Sequence, residues 1–277
     1  MRTTLVTIPT DTTPLDGALY EPEGAPRGAA LVFHGNTMNF YVGPPRFLPP
    51  VLARLGLVVL AFNRRGRDIL GIRASRMAEG AAFQTTREAI ADNRIATEWL
   101  GARGFRRPIV IGHSNGGMLA VRHTADHPQT RALVLLSAHC GGKDLVARAS
   151  RTGLLAGNRL EEITVQARTL VAAGRGRELM LLPGWWYVTS AASFLDLLTE
   201  LPDIVELAPR IACPTLFLRG DQESTDLYPA EAFQRRAGGP CTVEIVRDCD
   251  HFYVGREQAV AERVAAWLAQ TFEPEKA

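Results

Sequence analysis

A serine between glycines occurs in Gly112-His113-Ser114-Asn115-Gly116, directly after the apolar run Pro108-Ile109-Val110-Ile111 and before a helix-like stretch from Gly117 to His127. Strand, sharp turn and helix in that order form a nucleophile elbow, which lifts a serine hydroxyl out of the edge of a sheet. Glycines suit both flanks because the serine backbone is strained there and neighbouring side chains would collide. A serine hydroxyl attacks poorly until a base takes its proton, so the fold must bring a histidine to it. Of the six histidines, His251 alone lies after the last strand-like run and before the last helix-like stretch, in Asp248-Cys249-Asp250-His251-Phe252. His113 is expected to point away from its serine neighbour, and His123 and His127 to be solvated or capping on a helix and its end. His139, just after a strand, is placed to line a pocket. The base needs a carboxylate to orient it and balance its charge. The run Thr215-Leu216-Phe217-Leu218-Arg219 leads into Gly220-Asp221-Gln222-Glu223, which offers both Asp221 and Glu223 in one loop. The residues themselves leave that choice open.

Positioning these groups requires a sheet whose strand ends converge. Short apolar runs alternate with longer amphipathic stretches, the pattern of parallel strands joined by helical crossovers. Strands are expected over Ala29 to His34, Val58 to Asn63, Pro108 to Gly112, Ala132 to Ser137, Thr215 to Gly220 and Thr242 to Val246. Their β-branched and Leu-rich composition fits burial on both faces. Thr3 to Pro9 and Asp16 to Glu21 alternate apolar and polar residues around Thr12-Thr13-Pro14, which predicts an antiparallel hairpin at the sheet edge. Helices are expected over Pro45 to Leu55, Thr86 to Leu100, Gly117 to His127, Pro229 to Ala237 and Gln258 to Thr271. Residues 140–208 interrupt the alternation and read as helices broken at Gly174-Arg175-Gly176 and Pro183-Gly184. Such an insertion either covers the active site as a cap or packs beside the sheet. The expected organisation is a core formed by residues 1–139 and 209–277, with the cap at 140–208.

With these motifs in order, the chain resembles the α/β-hydrolase superfamily over nearly its full length apart from the insertion. The resemblance implies an α/β fold with a mostly parallel central sheet flanked by helices, and a helical cap inserted before the penultimate strand. In that superfamily the acid stands three residues beyond the glycine, normally as Asp. Here that position is Glu223, a departure the superfamily tolerates, with Asp221, Asp226 and Asp144 as alternatives. The loop His34-Gly35-Asn36-Thr37 resembles the superfamily's His-Gly loop, which nominates the backbone N–H groups of Asn36 and Asn115 as oxyanion donors. His34 reads as a structural hydrogen-bonding group, with substrate contact as its other role. Asn63 stands where relatives carry Asp, a structural detail of its loop. Phe40 and Tyr41, with Trp185, Trp186 and Tyr187 in the insertion, would either wall an apolar substrate pocket or pack the cap onto the sheet.

Composition narrows the partners. With 277 residues, 46% hydrophobic and 22% charged, the chain is long enough and apolar enough for a sizeable core. A net charge of +2 without any long run of one sign gives no footprint for nucleic acid. The bias towards Arg, with Lys only at 143 and 276, reads as genomic base composition. The start of the chain lacks a signal-like apolar region and no stretch has the length of a membrane span, so a cytoplasmic protein is expected. Cys140, Cys213, Cys241 and Cys249 have neither a disulfide-framework nor a metal spacing and are expected as buried free thiols. No phosphate-binding loop, dinucleotide fingerprint or metal-ligand cluster occurs, so the expected chemistry runs without a cofactor. The implied partner is a small-molecule ester, with a homodimer as the assembly left open. Cleavage of a carboxylic ester or lactone through an acyl-enzyme is the expected reaction. A C–C bond hydrolase, or a non-catalytic small-molecule-binding member of the fold, is the alternative.

Overall fold

The computed structural model describes residues 1–73, 76–184 and 187–271. The chain opens with β1 (Arg2–Ile8), β2 (Leu15–Glu21) and β3 (Gly28–Phe33), followed by α1 (Pro44–Arg54), β4 (Leu57–Phe62), the two-residue strands β5 (Gly71–Ile72) and β6 (Ala78–Glu79), and α2 (Thr86–Gly101). Next come β7 (Ile109–His113), α3 (Asn115–Asp126) and β8 (Leu133–Leu136). After α4 (Leu145–Arg151), α5 (Leu160–Ala172), β9 (Leu179–Leu182), β10 (Tyr187–Ser190), α6 (Ala191–Thr199) and α7 (Ile204–Leu207), the chain returns through β11 (Thr215–Gly220), α8 (Ala230–Arg236), β12 (Cys241–Val246) and α9 (Glu257–Thr271).

Eight strands form the central sheet in the order β1-β2-β4-β3-β7-β8-β11-β12. The hairpin β1–β2 pairs antiparallel and joins the sheet antiparallel to β4, while the strands from β4 across to the edge strand β12 run parallel. Successive side chains of a strand point to opposite faces, so a strand covered on both sides must be apolar throughout. In β4, Val58, Leu60 and Phe62 pack into one core layer and Leu57, Val59 and Ala61 into the other. Helices α2, α3 and α8 cover the first face, and α1 and α9 cover the second. Local signals support the crossovers: α2 begins in a capping box, with the Thr85 side chain accepting from the Glu88 N–H and the Glu88 carboxylate from the Thr85 N–H.

The segment between β8 and β11 is not wholly helical. Within it β9 and β10 pair as an antiparallel hairpin, Leu182 opposite Tyr187 and Leu179 opposite Ser190. The alternation that marks a strand was hidden because the outward positions are leucines: Leu179 and Leu181 are exposed, Met180 and Leu182 buried. The segment has a small core of its own, in which Ile163, Ala167, Met180, Leu182 and Phe194 meet. The Ser190 N–H donates to the Ala82 carbonyl and ties the hairpin to the sheet-bearing part.

Among the described residues no helix is long and apolar enough to cross a membrane. All four cysteines are free thiols, but only Cys140 and Cys249 are buried; Cys213 and Cys241, at the start of β11 and β12, are partly open.

Candidate active site

Ser114 occupies the turn between β7 and α3 with φ 55° and ψ −119°, a left-handed conformation costly for a residue with a Cβ. Backbone bonds hold it there. Its N–H donates to the Leu136 carbonyl of β8, and its own carbonyl accepts from Gly117 and Met118. The glycines on either side are required by packing. A Cβ on Gly112 would lie 2.2 Å from the Gly116 carbonyl oxygen, and one on Gly116 would lie 2.3 Å from the Phe33 carbonyl oxygen. The turn therefore presses α3 onto β3, and the Ser114 side chain, free of any capping bond, projects from the sheet.

The loop after β12 brings His251 to it, with Nε2 3.0 Å from Ser114 Oγ. On the other side of the ring, Nδ1 lies 2.7 Å from Glu223 Oε1. The Glu223 side chain is 2% exposed, and its second oxygen accepts from the Gly220 N–H and the Ser137 hydroxyl, each at 2.7 Å. The Tyr253 hydroxyl, 2.6 Å from Ser137 Oγ and 3.3 Å from the Leu218 carbonyl, extends this chain into the core. Ser137 and Tyr253 carry no motif, and sequence reading missed both. Each has a positive φ, 46° and 62°, which aims its side chain against the normal run of its segment.

The other carboxylates lie elsewhere. Asp221 accepts from the N–H groups of Asp248 and Cys249, both at 3.1 Å, and these bonds hold its carboxyl below the usual range. It ties the loop after β11 to the loop that carries His251. Asp226 pairs with Arg148, and Asp144 stands at the start of α4 without a side-chain capping bond. His113 also acts on the base loop: its Nε2–H donates to the His251 carbonyl at 2.9 Å, and burial pushes its pKa down to about 3, so it stays neutral. His123 is not solvated. It is buried between Thr97 and the stacked ring of His127, and desolvation lowers it to about 3.

Asn36 lies in the loop after β3, closed by a Met38 N–H to Gly35 carbonyl bond of 3.4 Å. Asn115 is the first residue of α3, where an N–H has no intrahelical partner and the helix dipole is positive. Both residues border the same cavity as Ser114 and His251. His34 does not. It is fully buried, its Nδ1 2.8 Å from the Gly35 carbonyl, its Nε2 accepting from the Arg64 N–H, and its carbonyl accepting from the Arg64 guanidinium at 2.6 Å. Burial, then the Arg64 charge, keeps this ring well below the usual histidine pKa. Asn63 accepts from the Phe40 N–H, and Asp68 accepts from Asn39, so the loop after β3 is pinned from below.

The cavity at Ser114 has a volume of about 160 Å³. Its wall is largely apolar, contributed by Leu145, Ala149, Leu154 and Leu155 of the insertion and by Leu227 and Phe252 of the core loops. His139 lines it, as does Tyr187 of the aromatic run in the insertion, and so does Tyr228, which the sequence did not single out. Phe40 and Tyr41 are not part of this wall: Phe40 packs against the sheet layer under α1, and Tyr41 is exposed beneath the Arg46 guanidinium. Trp185 and Trp186 lie outside the described residues. Among the described residues no group of three or more His, Cys, Asp or Glu side chains is arranged to hold a metal ion.

The family model described as "Alpha/beta hydrolase family" matches residues 30–263. No curated protein matches the sequence. Among solved structures, the chain is similar to Est1E from Butyrivibrio proteoclasticus with ferulic acid bound, at 17% identity over 96% of this chain and 98% of that one, TM-score 0.72. It is similar to a soluble variant of monoglyceride lipase from Saccharomyces cerevisiae, at 12% identity over 99% and 97% of the two chains, TM-score 0.72. A dienelactone hydrolase from Anabaena variabilis aligns at 17% identity over 98% and 99%, TM-score 0.61. At these identities the likeness is one of fold.

Proposed function

Because the chain belongs to the alpha/beta hydrolase family, we propose that it is a serine hydrolase that cleaves a carboxylic ester or lactone through an acyl-enzyme. The observation that carries the proposal is the continuous hydrogen-bonded chain from Ser114 Oγ through His251 to Glu223, opening onto an apolar cavity. In this reading Ser114 Oγ attacks the carbonyl carbon while its proton passes to His251 Nε2. The backbone N–H groups of Asn36 and Asn115 stabilise the resulting oxyanion. His251 then protonates the departing alkoxide, and the acyl group remains on Ser114. Water attacks that ester with His251 again as base, releasing the carboxylic acid and regenerating the serine. Glu223 holds the imidazole in the Nδ1–H tautomer and balances its transient charge. The insertion, residues 140–208, acts as the cap that completes the apolar wall.

Hydrolysis of p-nitrophenyl esters from acetate to decanoate tests this reading. A cavity of about 160 Å³ is on the scale of one that takes a benzene ring. Turnover is therefore expected to peak between butyrate and octanoate and to fall at decanoate. Absence of turnover across the series, with no labelling of Ser114 by a fluorophosphonate, would refute the proposal.

Ser137 and Tyr253 are assigned as positioning residues for Glu223. Replacing Ser137 by Ala removes one of two donors to the buried Oε2 and is expected to lower kcat about tenfold to a hundredfold, the range for one lost bond to a buried charge, with KM little changed. Tyr253→Phe leaves the Ser137 to Glu223 bond in place and should cost less. A wild-type kcat in Ser137→Ala would remove this pair from the machinery.

A further inference from the structure

The wall formed by Leu145, Ala149, Leu154, Leu155 and Leu227 offers an incoming chain dispersion contacts and little else. His139 interrupts it. This residue follows β8 and starts the turn Gly141-Gly142, both with positive φ, and its Nδ1 accepts the Gly141 N–H at 3.1 Å. An imidazole that accepts at Nδ1 carries its proton at Nε2 when neutral. Burial, and then repulsion from His251, push its pKa down to about 4, so it is neutral at ordinary pH. Among the described residues no hydrogen bond engages Nε2, although the side chain lines the cavity shared with Ser114 and His251. A donor held in an apolar wall loses its water when an alkyl chain enters, a penalty removed only by an acceptor on the ligand.

We propose that His139 is a specificity-determining residue, its Nε2–H donating to a second, uncharged oxygen acceptor, such as a ketone, that the substrate carries beyond its scissile ester. The proposal rests on the esterase reading and narrows its substrate class to oxygenated esters of short to medium length. A neutral donor suits an uncharged carbonyl better than a carboxylate or phosphate, whose burial here would lack a countercharge.

The test compares kcat/KM for ethyl hexanoate with its 3-, 4- and 5-oxo analogues, and for hexyl acetate with its keto analogues, so that either arm of the ester can present the acceptor. A ketone accepts hydrogen bonds and donates none, so it reads this donor specifically. Wild type is expected to prefer at least one keto ester over its parent by about tenfold, the scale of one net hydrogen bond. In His139→Asn the amide oxygen takes over the bond from the Gly141 N–H, a local geometry Asn readily adopts, and its NH₂ stands at the position of the ring's Cδ2, short of the reach of the lost Nε2–H. The preference should collapse to a ratio near one. If parent esters are hydrolysed without keto preference in wild type, or if His139→Asn keeps the full preference, the assignment of His139 is overturned and the esterase reading stands. If no ester of either series is hydrolysed, and neither p-nitrophenyl ester turnover nor fluorophosphonate labelling of Ser114 is seen, both fall together.

Discussion

Ser114→Ala is expected to lower ester turnover by at least about 10⁴-fold, leaving only what oxyanion stabilisation and binding provide. Among the described residues the hydroxyl hydrogen-bonded to His251 Nε2 is that of Ser114, at 3.0 Å, so its removal takes the nucleophile from the base. The fold should be retained. Ser114 makes no capping bond with its side chain, and the turn is held by its backbone bonds to Leu136, Gly117 and Met118. Alanine meets the same φ of 55° with the same Cβ, so the strain is unchanged. The check is a progress curve with an optimal p-nitrophenyl ester beside a thermal melt. Undiminished turnover by a folded Ser114→Ala protein would transfer the chemistry to another group.

Glu223→Gln is expected to lose about 10³- to 10⁴-fold in kcat, because it inverts a tautomer and not because it breaks a fold. The amide oxygen of a glutamine can still accept from the Gly220 N–H and the Ser137 hydroxyl, which bind the inner oxygen of Glu223. That leaves the amide NH₂ facing His251 Nδ1, 2.7 Å from the present Oε1. Nδ1 must then accept, the ring proton moves to Nε2, and the nitrogen facing Ser114 becomes a donor that cannot remove a proton. Asp221→Asn is the contrasting variant. It weakens the tie to the N–H groups of Asp248 and Cys249 without touching the base, and should lose less than about tenfold. Rate constants for both variants, measured on one ester, decide between the carboxylates; a larger loss in Asp221→Asn would reverse their roles.

Much of the candidate site was legible in the residues because the signals are local. The elbow at Ser114 is encoded within ten residues: an apolar strand, glycines where a Cβ would strike the Gly116 and Phe33 carbonyls, and a helix. Strand positions were legible for a related reason, since burial on both faces demands unbroken apolar runs in β3, β4 and β7. The insertion was less legible. Leucines on the open side of β9 erased the period of two, and the wall residues Leu145, Leu154 and Leu227 read as ordinary hydrophobics.

The sequence by itself determined that a parallel sheet would present a serine on a strained turn, with a histidine returning after the last strand. Backbone sterics and hydrophobic periodicity act over a few residues and leave their mark in order along the chain. Only the tertiary structure decided which carboxylate meets His251. Asp221 and Glu223 are two residues apart, and the path of the turn after β11 sends one to backbone N–H groups and the other inward. It also decided that Ser137 and Tyr253, 86 and 116 positions along the chain from their bonding partners Glu223 and Ser137, would complete the shell around that acid. Hydrogen bonds between distant segments depend on how whole strands are registered against one another, and residue type alone carries no record of that register.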